Sequence, residues 1–170
     1  AHHWSLGRTL TDPIGLSDGT ASSADVYESI GINLAQRSTG IDLADDSVAS
    51  VLSGTATLSF YMKTTQVGTS VPWTAPGIFG RDQSGGADDV FWGWLDNNGR
   101  INLSVGDTSA TNPITTSSAA VNNGQWRHVV LTRDAASGVQ AVYVDGVKTT
   151  TTGRTGALGL NNRFRLLGQF

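Results

Sequence analysis

Two adjacent carboxylates, Asp88 and Asp89, stand directly before a strand-like run with three aromatic side chains, VFWGWL at 90–95. Carboxylates beside a cluster of aromatic side chains are compatible with three kinds of site. They could flank a scissile bond in a catalytic cleft, hold a metal ion at the edge of a β-sandwich, or border a ligand-binding rim. The choice depends on the other acids of the chain and on the strands that place them.

The supply of acids and bases argues against catalysis. Glycoside hydrolysis needs two carboxyl groups that flank the bond, but the chain contains a single Glu, Glu28. Asp88 and Asp89 are neighbours, so on a strand their side chains point to opposite faces. His128 lies inside the strand-like run WRHVVLT, and no G-x-S-x-G motif accompanies it. We therefore expect that the protein is not an enzyme.

Short strands must position these residues. Apolar side chains alternate most clearly at 55–63, where Ala56, Leu58, Phe60 and Met62 share one face. Asn97-Asn98-Gly99 and Asp145-Gly146 predict tight hairpin turns. Further strand-like runs occur at 3–6, 30–34, 77–81, 90–95, 100–105, 126–132, 139–145, 147–152 and 163–168, whereas the Thr- and Ser-rich stretch 107–120 contains no predicted strand. About nine to eleven short strands predict an all-β fold, a two-sheet antiparallel sandwich or jelly roll.

Length and charge limit the classes of partner. The 170 residues fit one domain, and the net charge of −3 comes without a basic patch, so no nucleic-acid partner is expected. There is no Cys, which removes disulfide and thiol chemistry. No apolar run is long enough for a membrane span, so we expect no membrane insertion.

The run GQWRHVVLTRDAASGVQAVYVDG at 124–146 resembles the core of laminin-G-like, concanavalin A-type jelly-roll domains. HWSLG near the start, LSFYMKT, IFGR and the aromatic hairpin follow in the order typical of that family. The resemblance covers roughly residues 3–168 and implies the jelly-roll fold. It resembles the bacterial laminin-G-like domains found in large secreted adhesins and polysaccharide-processing proteins, which implies an extracellular or bacterial cell-surface location. The hydrolases of the superfamily commonly carry E-x-D-x-E, which a chain with one Glu cannot contain.

Domains of this family usually continue past the last strand with a further segment that runs back beside the N-terminal strand. Here the sequence stops at Gln169-Phe170. Without that segment a sheet would keep an unpaired edge. We therefore expect a single domain over 1–170 that lacks its usual C-terminal strand, either because it is truncated or because an inserted domain splits it.

The resemblance also implies a calcium ion at the rim of the sandwich. Family members use an acid at the start of the aromatic hairpin, a carbonyl at its far end and oxygens from the loop before the last strand. These positions correspond here to Asp89 with its neighbour Asp88, to Val105, and to Leu160, Asn161 and Asn162. Calcium takes six to eight such oxygen ligands. The alternative is that the Asp and Asn pairs are turn residues that cap strands.

The aromatic side chains have two interpretations. If 90–95 is a regular strand, Trp92 and Trp94 share one face and either fill the core or offer a stacking surface to a sugar. Trp73, in the loop SVPWTAP, is the better candidate for an exposed ligand contact, as a stacking surface for a sugar. Asp82 and Asp107 lie near the predicted calcium rim and would support ligand binding there. For His128 we expect a packed, hydrogen-bonded position in the sandwich interior.

Together these observations predict a non-catalytic, calcium-associated carbohydrate-binding or adhesion module of a large extracellular bacterial protein. Its partner would be a glycan or cell-surface ligand, and further domains of the same polypeptide are expected. One alternative is a structural or protein–protein module of a multidomain adhesin in which calcium only stabilises the fold. Another is an accessory domain of a polysaccharide-degrading enzyme.

Overall fold

A computed structural model describes residues 11, 18–21, 27–28, 31–32, 41–42, 51–81, 89–105, 113–158 and 166–167. In these ranges nearly all regular structure is β. The strands are β1 (Thr20–Ala21), β2 (Tyr27–Glu28), β3 (Gly31–Ile32), β4 (Ile41–Asp42), β5 (Ala56–Met62), β6 (Phe79–Arg81), β7 (Val90–Leu95), β8 (Arg100–Val105), β9 (Thr115–Ala120), β10 (Arg127–Arg133), β11 (Val139–Val144), β12 (Val147–Thr152) and β13 (Leu166–Leu167). A 3-10 turn occupies Pro72–Thr74. No helix in the described ranges is both long and apolar enough to cross a membrane.

The strands form two main antiparallel sheets. One has seven strands in the order β1-β4-β13-β6-β7-β8-β9, and the other has four in the order β12-β11-β10-β5. Strands β2 and β3 pair separately. Strands β5 and β10 are far apart in the chain but pair with each other, so that Phe60 lies opposite Val129. In a simple meander each strand would pair with the next one along the chain, so this pairing indicates a sandwich. The predicted all-β, two-sheet antiparallel fold is therefore confirmed.

The core lies between the two sheets. Strand β5 contributes the face predicted from its alternation, since Ala56, Leu58, Phe60 and Met62 contact the core while the residues between them are exposed. The facing sheet supplies the fully buried residues Phe79, Val90, Trp92, Ile101, Leu103 and Val105. Their burial removes apolar surface from water at about 25 cal/mol per Å², which is the main force that holds the sheets together.

Strand β7 is buried on both faces. A register shift lies between Trp92 and Trp94, where Gly93 has a φ of +77°. Because this bulge adds a residue, Trp92 packs in the main core, whereas Trp94 packs with Phe91 and Ala75 on the opposite face. The prediction that Trp92 and Trp94 share a face is therefore wrong, although both do fill the interior.

Both predicted hairpin turns occur. Between β7 and β8, Gly99 N donates to Asp96 O at 3.0 Å, and Asp96 Oδ1 accepts from the backbone N of Asn98 and of Arg100. Between β11 and β12, Asp145 and Gly146 have φ values of 49° and 83°, as a type I′ turn requires. These turns fix the register of the strands that they join.

Strand β9 lies in a stretch where no strand was predicted. Its Thr115 and Ser117 are buried although they are polar, so the strand lacks the apolar alternation that identifies the others. Their hydroxyls have partners from other strands, since Ser117 Oγ accepts from Ile101 N at 3.1 Å and Thr115 contacts the hydroxyl of Thr151. Those hydrogen bonds compensate for burying the hydroxyls.

The buried side chain of Arg133 connects strand β10 to two other parts of the chain, residues 53–54 and 154–156. Arg133 is 1% exposed, and its Nη1 donates to the carbonyls of Ser53 and Gly54. Its Nη2 donates to the carbonyls of Arg154 and Gly156. Burial lowers the pKa of this guanidinium, and the four carbonyl oxygens offset the cost of removing it from water.

Candidate functional site

Asp89 and Val105 lie at the same end of the β7–β8 hairpin. Val90 is paired directly with Val105, and Asp89 is the residue that precedes this pair. Asp89 is only 8% exposed, so its carboxylate is held against the protein rather than in free solution. The hairpin thus places the residue that carries this carboxylate next to the strand end at Val105. Carboxylate and carbonyl oxygens are the hard donors that calcium prefers.

The remaining predicted rim residues, Asp82, Asp88, Asp107, Leu160, Asn161 and Asn162, lie outside the described residues. Across the ranges that are described, no group of three or more His, Asp or Glu side chains could hold a metal ion. The structure shows only that Asp89 directly precedes the Val90–Val105 pair. The metal itself and the ligand roles of all six positions stay predictions.

Trp73 projects from the loop that covers the outer side of the seven-stranded sheet. It lies in the 3-10 turn and is 43% exposed. The loop is fixed below it, because Ala75 packs against Phe91 and Trp94 and because Leu95 N donates to Pro76 O at 2.9 Å. Leu95 ends β7, whereas Asp89 precedes its start, so this loop is anchored at the other end of the strand from the rim acid.

A second group of aromatic side chains lies on the four-stranded sheet. Phe60, Val129 and Val142 point into the core, so the side chains adjacent to them along each strand point outward. The strand pairings then place six outward residues side by side, which we call the outer aromatic face: Ser59, Tyr61, His128, Val130, Tyr143 and Lys148.

Tyr61 and His128 form the centre of this face. Their ring centroids lie 4.7 Å apart with an interplanar angle of 29°, and Tyr61 nevertheless remains 70% exposed. The imidazole Nε2 is 3.1 Å from Ser59 Oγ, which fixes the ring from the side. One side of the Tyr61 ring is therefore supported by protein while much of its surface stays open to a ligand.

The charge on this part of the sheet is uneven. Lys148 Nζ lies 5.7 Å from the centroid of the Tyr143 ring, a cation–π contact that holds the ammonium over the sheet. Asp145, in the β11–β12 turn, accepts from Arg127 Nη1 at 2.8 Å and from His128 N at 3.0 Å. Both hydrogen bonds lower the pKa of Asp145, and the bond from Arg127 has the larger effect. The acid is thus paired, and Lys148 is the one permanent charge among the six residues of the outer aromatic face.

The expectation for strand β10 was partly wrong. His128 is packed and hydrogen-bonded as predicted, but it lies on the outward face rather than in the interior. Trp126, two positions before His128, is 48% exposed. The outward position of Tyr61 could be predicted, because it lies between the core residues Phe60 and Met62 in the alternating run 55–63. Its neighbour His128 lies 67 positions further along the chain and becomes adjacent only through the pairing of β5 with β10, which no local pattern reveals.

The other described acids with known contacts serve turns. Asp96 binds the hairpin backbone and the guanidinium of Arg100 at 3.0 Å. Asp134 accepts from Ser137 Oγ and from the backbone N of Ala136, which lowers its pKa. Together with Asp145, these three carboxylates are held by local donors rather than paired across a cleft, an arrangement that suits turn formation and not acid–base catalysis.

Comparisons with known proteins place the chain among carbohydrate-related folds. Residues 35–169 match a laminin G family described as the concanavalin A-like lectin/glucanases superfamily. Among solved structures, the chain is similar to domain 4 of AbnA, a GH43 extracellular arabinanase from Geobacillus stearothermophilus, in complex with arabinotriose. The identity is 24%, the similarity covers 95% of this chain and 82% of that one, and the TM-score is 0.56. A comparison with curated proteins gives no match. At this identity the structural likeness concerns the fold.

Proposed function

Because the chain belongs to the concanavalin A-like lectin and glucanase superfamily, we propose that it is a non-catalytic carbohydrate-binding module. The superfamily includes proteins that bind sugars and proteins that hydrolyse them. The observation that carries the choice is the contrast between aromatic and acidic side chains. Tyr61, Trp73 and Trp126 are exposed, while the acids with known contacts in the described ranges are held in turns.

Exposed rings on a rigid sandwich suit sugar binding. Aromatic rings present a large apolar area, and few rotatable bonds are lost when a ligand covers them. A sugar ring can place its apolar C–H side on such a surface while its hydroxyls remain in water. The solved relative supports this proposal, because that domain of an arabinanase was obtained with a bound oligosaccharide.

Calcium forms part of the proposal. Asp89 and the carbonyl of Val105 would hold the ion at the rim, together with Asp88, Leu160, Asn161 and Asn162. When bound, the ion would supply positive charge that orders the rim and attracts hydroxyl oxygens of a sugar. The placement of Asp89 beside the Val90–Val105 pair supports this role.

The setting of the module is proposed from the same relationships. We place it in a large extracellular bacterial protein, with neighbouring domains and a glycan or cell-surface ligand as partners. The solved relative belongs to an extracellular enzyme, which supports secretion. It is also one domain of a polysaccharide-degrading enzyme, and this favours a second candidate role as an accessory domain that holds such an enzyme on its substrate.

A panel of polysaccharides tests the proposal. The purified chain would be run in native gels that contain arabinan, galactan, β-glucan, polygalacturonate, alginate or hyaluronan, each at equal mass. We expect retarded migration in at least one glycan and no release of reducing sugar from any of them. Unchanged migration in every gel contradicts carbohydrate binding, and released reducing sugar contradicts a non-catalytic role.

A further inference from the structure

We propose that the outer aromatic face of the four-stranded sheet is a saccharide-binding site and that it selects oligosaccharides which carry carboxylate groups. The proposal rests on carbohydrate binding as the function of the chain and adds the place and the chemistry of recognition. It differs from the rim and from the Trp73 loop, both of which lie on the seven-stranded sheet.

The stacking surface is the Tyr61 ring. It is 70% exposed, yet it is already stacked on His128 with centroids 4.7 Å apart. A ring that is held before the ligand arrives loses little freedom on binding, so more of the contact energy appears as affinity. Trp126, which directly precedes β10, is also exposed, at 48%.

The backbone beneath the ring is rigid. Seven residue pairs join β5 to β10, and five join β10 to β11. Binding groups on paired strands keep their positions better than groups on loops. Next to the ring, Ser59 Oγ and the imidazole of His128 form a polar pair that can exchange hydrogen bonds with sugar hydroxyls.

The charge gives the site its selectivity. Lys148 is exposed and held above Tyr143, and the acid in the adjoining turn, Asp145, is paired with Arg127 at 2.8 Å. The outer aromatic face therefore presents a net positive charge to a ligand. A carboxylate on the sugar would lie near this ammonium and gain a charge-assisted hydrogen bond that a neutral sugar lacks.

The spacing sets the size of the ligand. Tyr61 is on β5 and Lys148 is on β12, the two outer strands of the sheet. Strands lie roughly 4.8 Å apart, so three spacings separate these residues by roughly 14 Å across the sheet. A ligand that contacts both must be longer than one sugar ring, so the site fits an acidic oligosaccharide rather than a monosaccharide.

Calorimetric titration tests the proposal with matched variants. The probes are oligogalacturonate, and alginate or hyaluronan fragments, each compared with neutral oligosaccharides of arabinan and galactan. For the acidic glycan that binds, Tyr61→Ala should weaken binding about tenfold or more, since loss of a stacked ring typically costs that much or more. Tyr61→Phe keeps the ring and should stay close to wild type. Trp73→Ala tests the alternative contact in the loop on the other sheet. Val67→Ala shortens an exposed side chain outside both places and is the control that should leave the affinity unchanged.

Lys148→Met separates charge from stacking. It should weaken the acidic oligosaccharide about tenfold and leave any weak neutral binding as it was. Binding to neutral glycans alone overturns the acidic selectivity. Strong binding that resists Tyr61→Ala and falls with Trp73→Ala overturns the site but leaves carbohydrate binding intact. A lack of binding to every glycan overturns the site and the proposed function together. Melting curves of each variant, unchanged from wild type, exclude loss of folding as the cause.

Discussion

Tyr61 stacks on His128 across neighbouring strands β5 and β10, with ring centroids 4.7 Å apart on the outward face of the four-stranded sheet. The contact joins residues that are far apart in sequence, and it supports an aromatic ring without covering it. Side chains on the opposite face of the same two strands, such as Phe60 and Val129, pack into the core. The strands that stabilise the fold thus also carry Tyr61, the most exposed aromatic side chain among the described residues.

Calcium should stabilise the folded chain through Asp89. A ligand that binds only the folded state raises the free energy of unfolding by about 2.7 kcal/mol at a concentration of 100 times its Kd. Thermal melts with calcium and with excess chelator should differ for wild type and coincide for Asp89→Asn. Asp145→Asn, a change on the other sheet, serves as the control and should retain the calcium response. Identical melts of wild type in both buffers would remove calcium from the account.

Gly93 should tolerate no side chain. Its φ is +77°, and an added Cβ would lie 2.9 Å from Ile78 Cγ1. Gly146 is the matched control, because its φ is +83° but nothing lies within 4 Å of an added Cβ. Gly146→Ala should cost about 1–2 kcal/mol from the backbone alone, and Gly93→Ala about 2–4 kcal/mol from backbone and crowding together. Urea unfolding of both variants measures the difference, and equal costs would show that the bulge accommodates the methyl group.

Arg133 should be essential for stability. Replacement by Met removes the guanidinium bonds to the carbonyls of Gly54, Arg154 and Gly156, and Ser53 O keeps only its bond from Leu158 N. We expect Arg133→Met to lower the free energy of unfolding by about 3–5 kcal/mol, because several buried carbonyls lose a hydrogen bond. Arg100→Met breaks a more exposed ion pair with Asp96 and should cost about 1 kcal/mol or less. Denaturant curves that rank the two variants in the opposite order would contradict the structural role of Arg133.

The carboxylate of Asp145 should make the stability of the folded chain depend on pH. Its pKa is lowered in the folded chain by the bonds from Arg127 and His128 N. A lowered folded pKa means that the stabilisation is complete above the unfolded value of about 4 and is lost as the pH falls through the folded value. The melting point of wild type should therefore exceed that of Asp145→Asn at about pH 6, and the gap should narrow toward about pH 3. A constant gap over this range would contradict the assignment.

Much of the fold follows from the sequence because alternation and turn chemistry are local. The face of β5 and the Asp145-Gly146 turn need only neighbouring residues for their prediction. The bulge at Gly93 and the polar strand β9 need more, since a glycine in a strand does not by itself specify a register shift. The hydroxyls of Thr115 and Ser117 become compatible with burial only through partners on other strands.

The two candidate sites also differ in how far the sequence alone predicts them. Asp89 and Val105 were brought together by a hairpin, which is a local element, so family resemblance sufficed to place them at one end of it. The outer aromatic face combines residues from four strands, and its members become neighbours only when the order β12-β11-β10-β5 is known. Trp73, by contrast, lies in a loop bounded by proline, so its exposure could be predicted from neighbouring residues alone.

Chemical-shift mapping by NMR tests the central claim most directly. The labelled chain would be titrated with the acidic oligosaccharide that retards it most strongly in native gels. We expect the largest shifts at Tyr61, His128, Tyr143 and Lys148, with the Trp73 indole unchanged. Shifts concentrated at Trp73 or around Asp89, with the outer aromatic face unaffected, would contradict the assignment of the binding surface.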